Sequence, residues 1–220
     1  SCVPATDLET SGARLTAHDL LAFKDEERVL GLGEVMNYPG VIQAQTDMMD
    51  KLKEFFGTII DGHAPGVSNK ELMAYAATGI GSDHECTTMK EAEEKLRVGM
   101  HIMIREGTTA KNFEELINLA FRYSTSRMFF VTDDKHPDDL EKGHIDIMVR
   151  RAIEKGIPPV VAYQMASINT AAYFGLDWKF GSIAPGRRAD ILIMEDLMKV
   201  KINKVFHKGR LVVNEGEVLS

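Results

Sequence analysis

Ile59-Ile60-Asp61-Gly62-His63-Ala64-Pro65-Gly66 and Gly79-Ile80-Gly81-Ser82-Asp83-His84-Glu85-Cys86-Thr87-Thr88 follow one pattern. In each, a short apolar run stops at a histidine beside glycine or carboxylates. A Ser/Thr-x-x-Glu start follows, Ser68 to Glu71 in the first and Thr88 to Glu91 in the second. Such a start lets a hydroxyl and a carboxylate satisfy orphan amides at a helix N-terminus. Twice in succession, then, the spacing predicts a strand that delivers a histidine to its C-terminal end before the chain turns into a helix. The C-terminal ends of parallel strands are where α/β enzymes keep their chemistry. A single histidine in this context reads as loop packing; two in a repeated context read as ligands.

The same scheme extends in both directions. Residues 1–18 read as irregular, and Asp19 to Lys24 as a short helix. Arg28 to Glu34 is a predicted strand, with Asn37-Tyr38-Pro39-Gly40 as its turn. From Val41 to Phe56 the apolar positions recur at helical spacing. Helices are predicted over about 70–78 and 90–98. Glu91/Lys95 and Glu93/Arg97 in the second are Glu-first pairs at i,i+4, which mark a solvated face. Met100 to Gly107 alternates and ends at Glu106, with Asn112 and Glu115 capping the helix that follows. Met128 to Asp134 is a fifth strand ending at paired aspartates. Past His136-Pro137 a helix is expected through about Lys155, then short helices over 158–167 and 170–174.

The strand ends Glu34, His63, His84, Glu106 and Asp133 recur every 21 to 29 residues. That is a βα repeat, and it implies parallel strands with right-handed helical crossovers. Five units suit either a doubly wound sheet or part of an eight-stranded barrel, and periodicity does not choose between them. From Gly181 the composition changes: Ala184-Pro185-Gly186 is a turn, and 190–194, 201–207 and 210–218 read as short strands. The expected organisation is a βα domain over 1–180 and a small β domain over 181–220.

Composition bounds the function. The 220 residues are 44% hydrophobic and 27% charged, which suits a globular protein with a sizeable core. A net charge of −7 argues against nucleic acid or an anionic membrane as partner. No apolar run is long enough to cross a bilayer. Cys2 and Cys86 form no pair motif, so cytoplasm is the expected location. A chain opening Ser1-Cys2-Val3-Pro4, without initiator methionine, reads as part of something longer or processed.

Glu34, His63, His84 and Asp133 fall at four strand ends. Two imidazoles with two carboxylates suit a borderline divalent ion such as Zn, Fe or Mn. An ion so held lowers the pKa of its water, and an aspartate beside it can relay that proton. The alternative is an electrostatic rim without metal, in which the histidines are hydrogen-bonded and Glu34 and Asp133 cap helices. Glu85 could shuttle protons or hold a substrate nitrogen, or serve as a helix-terminus carboxylate. Arg105 and Glu106 could pair with each other, and Asp134 and His136 could support a metal ligand or be plain loop residues. Cys86 has no basic partner near it in sequence, which argues against a nucleophile. Gly31-x-Gly33 is too short for a dinucleotide fingerprint.

These residues carry a resemblance. Gly31 to Gly40 (GLGEVMNYPG), Asp61 to Gly66 (DGHAPG), Ser82 to Thr88 (SDHECTT), Ile104 to Gly107 (IREG) and Thr132 to Pro137 (TDDKHP) resemble the bacterial-type adenine deaminases of the amidohydrolase superfamily. Gly181 to Asp190 (GSIAPGRRAD) is similar to the segment where superfamily chains leave the barrel for their small β domain. The resemblance implies a (β/α)8 TIM-type barrel whose fourth to eighth strands are present here. It implies hydrolytic deamination of adenine to hypoxanthine and ammonia, with metal-activated water attacking the amino-bearing ring carbon. Glu34 would bridge two metals, His63 and His84 would hold one ion, and Asp133 would bind metal and relay protons. Glu85 would protonate a ring nitrogen. The implied cofactor is a divalent metal, binuclear, Mn or Fe with Zn as a third option. The implied partners are a purine substrate, a homo-oligomer mate and an N-terminal portion supplying strands one to three. That portion would bring the superfamily's His-x-His, which is absent from this sequence. Competing expectations are an amidohydrolase cleaving a cyclic amide or amidine, a C-terminal fragment active only with a partner chain, and a non-catalytic βα domain.

Overall fold

The computed structural model describes residues 12–219; Cys2 and the first part of the expected irregular start lie outside the described residues. The chain divides into two compact units, Ser1–Met103 and Ile104–Ser220.

The first unit begins with helix α1 (Ala17–Lys24). Its capping box is complete: Thr16 Oγ1 accepts from the Asp19 N–H, and Asp19 Oδ2 accepts from the Thr16 N–H. Strand β1 (Gly31–Val35) follows, then α2 (Tyr38–Ile42), α3 (Thr46–Glu54), β2 (Ile59–Gly62), α4 (Asn69–Ala77), β3 (Ser82–Asp83), α5 (Met89–Arg97) and β4 (His101–Arg105). β1 pairs with β2 in parallel, Gly31 opposite Ile59, and β3 with β4 in parallel, Ser82 opposite His101. The Gly81 N–H donates to Ile60 O at 2.9 Å, so the chain leading into β3 runs beside β2. Backbones approach closely here: a Cβ on Gly31 would lie 1.9 Å from Ile59 O, and one on Gly62 would lie 2.2 Å from Ser82 O. Leu32, Ile60, Leu72, Tyr75, Ile80 and Met100 form the core with Leu52 of α3 and Phe55 just after it.

Several local expectations give way. The helical period over 41–56 is interrupted at Gln43–Gln45, where Ala44 takes a φ of 54° and the Gln45 N–H returns to Gly40 O. Ser68 makes no side-chain cap on α4. Thr88 does cap α5, accepting from the Glu91 N–H, but Glu91 sends its own carboxylate elsewhere. The Glu91/Lys95 face is not solvated: both side chains are buried. β4 does not alternate, since Ile102 to Arg105 are all buried, as expected of a parallel strand covered on both faces.

In the second unit the Glu106 N–H donates to Val131 O, at the end of β5 (Met128–Val131). Between them lie α6 (Phe113–Leu116) and two 3-10 turns, Ile117–Phe121 and Thr125–Arg127. Asn112 does not cap α6; its Oδ1 accepts from the Arg105 N–H. The helix expected after His136 is two pieces, α7 (Pro137–Leu140) and α8 (Ile145–Glu154), with Gly143 at φ 134° between them. α9 (Pro159–Met165) and α10 (Ile168–Tyr173) pack with α8 around Met128, Phe129, Met148, Ala162 and Met165. The unit ends in an antiparallel sheet ordered β6 (Ile191–Asp196), β7 (Lys201–His207), β8 (Arg210–Asn214), β9 (Glu217–Val218). The strand expected over 210–218 is thus a hairpin, turned at Glu215 and Gly216. Among the described residues no helix is long and apolar enough to cross a membrane.

Candidate metal centre

Within the first unit four side chains converge where β1, β2 and β3 end. His63 Nδ1 lies 2.9 Å from Glu34 Oε1, and His84 Nε2 lies 3.3 Å from the same oxygen. Glu85 Oε1 stands 3.4 Å from His84 Nε2 and 3.7 Å from His63 Nδ1. The two imidazoles meet edge to face, with centroids 5.2 Å apart. Strand ends supply this convergence: His63 follows the last residue of β2 and His84 the last of β3.

Glu34 is placed by an unusual backbone. It lies inside β1 with φ 44°, at a register shift between Leu32 and Val35. A non-glycine residue in the left-handed region is strained and persists only where its surroundings impose it. Here that irregularity coincides with the carboxylate that meets both histidines. Hydrogen bonds from His63 and then His84 hold the Glu34 carboxyl well below the ordinary carboxylate range, against the opposing effect of burial. Burial disfavours a charged His84, but its bond to Glu34 and the nearby carboxylates outweigh this and raise its pKa.

The donor chemistry fits a divalent ion. One atom each from Glu34, His63 and His84 lie within 4.8 Å of one another. Ligand atoms roughly 2.0–2.2 Å from a shared ion lie about 3–4.4 Å from one another, which is the scale of this cluster. Sequence reasoning also grouped Asp133. It belongs to the second unit, where it repeats the Glu34 peculiarity with φ 52° and its Oδ2 accepts from Arg105 Nη1 at 2.9 Å. The expected Arg105–Glu106 pair is therefore not made; Glu106 meets Arg151 at 2.9 Å and Lys111 at 3.7 Å. Asp134 and His136 are loop residues whose backbones bond Thr108.

A second cluster, Asp83, Cys86 and Glu91, also has metal-ligand character. Its centre holds the Lys95 ammonium, bonded to Asp83 Oδ2 and, at 2.7 Å, to Glu91 Oε1. Burial opposes both charges, yet each partner keeps the other ionised: Lys95 is raised and Asp83 lowered. The Cys86 thiol is pushed up by burial and by Asp83, which agrees with its inert reading. Sequence reasoning puts Lys95 on a solvated helix face and gives Asp83 and Tyr75 no role of their own. Tyr75, fully buried, donates to Val35 O at 2.8 Å and accepts from the His63 N–H at 3.0 Å, joining β1 to the histidine. The one available signal for Lys95 was its place on the same helical stripe as the small Ala92.

The amidohydrolase family model matches residues 1–212. The chain belongs to the amidohydrolase family. An adenine deaminase 2 from Carboxydothermus hydrogenoformans is 53% identical over 220 residues, covering 100% of this chain and 38% of that protein. An adenine deaminase from Desulfatibacillum aliphaticivorans is 50% identical, covering 98% of this chain and 38% of that protein. The chain thus spans about 38% of the length of these relatives. Among solved structures, an enamidase described as a member of the amidohydrolase superfamily has a TM-score of 0.67 at 20% identity, over 92% of this chain and 59% of that one. The fold is a mixed α/β amidohydrolase fold with a small antiparallel sheet. The family implies a divalent metal, which the amidohydrolase donor set described above accommodates.

Proposed function

We propose that this chain carries part of the catalytic centre of a metal-dependent adenine deaminase, converting adenine and water to hypoxanthine and ammonia. The observation that carries the reading is the convergence of His63 and His84 on Glu34, itself held in a strained backbone, with the Glu85 carboxylate beside both imidazoles. The names of the relatives at about 50% identity support the choice of adenine as substrate.

In this reading His63 and His84 would hold one ion, with Glu34 shared with a second and Asp133 a further ligand. The metals would be Mn or Fe, with Zn as the third option, and a His-x-His pair supplied from elsewhere would complete the set. An ion held by these residues would supply Lewis acidity, which lowers the pKa of water. Asp133 takes the proton of the attacking water and passes it to the departing amino nitrogen. Arg105 holds the Asp133 carboxylate in place for this transfer. Glu85, next in sequence to His84, donates its proton to a ring nitrogen as the amino-bearing carbon becomes tetrahedral. β1 to β5 are the fourth to eighth strands of a (β/α)8 barrel over residues 1–180, and residues 181–220 form the small β domain.

The test is product analysis by chromatography after adenine is incubated with the protein that joins this chain to a portion bearing the His-x-His pair. We expect hypoxanthine and ammonia in equal amounts, lost on chelation and restored by Mn2+. His84→Ala should cut the rate by at least 10²-fold. Deamination that survives both chelation and His84→Ala would overturn the reading.

A further inference from the structure

The buried ion cluster at Lys95 touches both histidine-bearing loops without contributing to the histidine cluster itself. Lys95 Nζ has three protons and three acceptors: Asp83 Oδ2, Glu91 Oε1 at 2.7 Å and Ala64 O at 2.7 Å. The carboxylates then grip backbone. Asp83 Oδ1 accepts from the N–H groups of Ala64 and Glu85, each at 3.1 Å. Glu91 Oε1 accepts from the Gly66 N–H at 2.8 Å, and Oε2 from the Thr87 N–H at 3.0 Å. Ala64, immediately after His63, is held at both its N–H and its C=O. His84 is bracketed by Asp83 before it and the bound N–H of Glu85 after it.

We propose that Lys95 is a positioning residue for the metal centre: its ammonium serves as a permanent internal cation that locks the His63 loop to the His84–Glu85 loop. This rests on the reading of Glu34, His63 and His84 as metal ligands. The lysine also explains why the Asp83/Cys86/Glu91 cluster is not itself a metal site, since the ammonium occupies the point where an ion would sit. A point charge with three donors suits this role; a guanidinium, planar and larger, does not reproduce it.

The test measures metal affinity by chelator competition, with Mn2+ and Co2+ as probes and at a temperature well below every variant's unfolding midpoint. Lys95→Met, His84→Ala and Lys95→Arg are compared with the parent protein. Removing a residue that orients ligands typically weakens metal binding about 10–100-fold. That loss is expected for Lys95→Met, with partial recovery in Lys95→Arg. Lys95→Arg keeps the charge, so it carries the test if Lys95→Met does not fold. The visible spectrum of the Co2+-loaded Lys95→Arg protein should also shift, because ligand geometry changes while ligand identity does not. A purely structural lysine would lower the unfolding midpoint but leave affinity and Co2+ spectrum as in the parent, and that result overturns the proposal. If His84→Ala also binds metal as the parent does, the ligand reading itself has failed. If only the Lys95 variants match the parent, the positioning role alone has failed.

Discussion

Two cations in this molecule each meet two carboxylates, with opposite consequences. In the first unit Lys95 meets Asp83 and Glu91 with no exposed side-chain surface on the lysine. In the second, Arg151 meets Glu106 and Glu114, and Glu114 is 64% exposed. Arg151 also lies over the Phe113 ring, 4.3 Å from its centroid. Each cation has two carboxylate partners, but the exposure to solvent differs. Water screens the Arg151 cluster and would solvate its members if it opened, whereas an unpaired charge beside Lys95 has nowhere to go. Charge pairs therefore differ in worth by where the fold puts them, and the buried one ties together the two histidine-bearing loops.

Predictions follow this contrast from its larger side to its smaller. Lys95→Met leaves two buried carboxylates unpaired and should cost about 3–5 kcal/mol of folding stability, read from denaturant midpoints. A loss below about 1 kcal/mol would show that the pocket admits water and would break the comparison. Tyr75→Phe removes an uncharged buried tie, leaving Val35 O and the His63 N–H without their partner. It should cost about 1–3 kcal/mol by the same measurement, between the two ionic cases. Arg151→Met should cost no more than about 1 kcal/mol. That small loss should shrink in 1 M salt, where screening acts within about 3 Å, while the Lys95→Met loss stays.

The pH dependence sharpens the contrast further. Asp83 is lowered on folding, so its contribution is present above its unfolded value near 3.9 and is lost as pH falls through the folded one. Lys95 is raised, so its contribution is present below about 10.4 and is lost as pH rises through its folded value. The stability gap between the parent and Lys95→Met should be widest between about pH 6 and 9. It should narrow toward pH 4, where the orphaned carboxylates of the variant take up protons. Thermal unfolding of both proteins across that range measures it; a gap that widens on acidification would contradict the assignment of charges.

Much of this was legible in the chain. The strand-end rhythm picks out Glu34, His63, His84, Glu106 and Asp133, because periodicity and turn chemistry are local properties. The capping signal at Thr88 was half right: the hydroxyl caps its helix as a local rule requires. Its partner Glu91 was misread, since a helical i,i+4 Glu–Lys pair looks the same whether it faces water or a sheet. The interruptions at Ala44 and Gly143 were missed for a similar reason. An apolar period continues across a break whose cause is a backbone dihedral.

The sequence by itself determined the βα order, the family and the residue types brought to the strand ends, because short-range pattern and motif carry that information. Only the tertiary structure decided that Glu34 sits in a strained turn of β1, that Tyr75 bridges β1 to His63, and that Lys95 stands inside the protein. Those three outcomes depend on which atoms meet across some 12 to 40 residues of chain and on the exclusion of water there. Burial turns an ordinary helix-face lysine into a fixed cation, and burial is a property of the packed molecule.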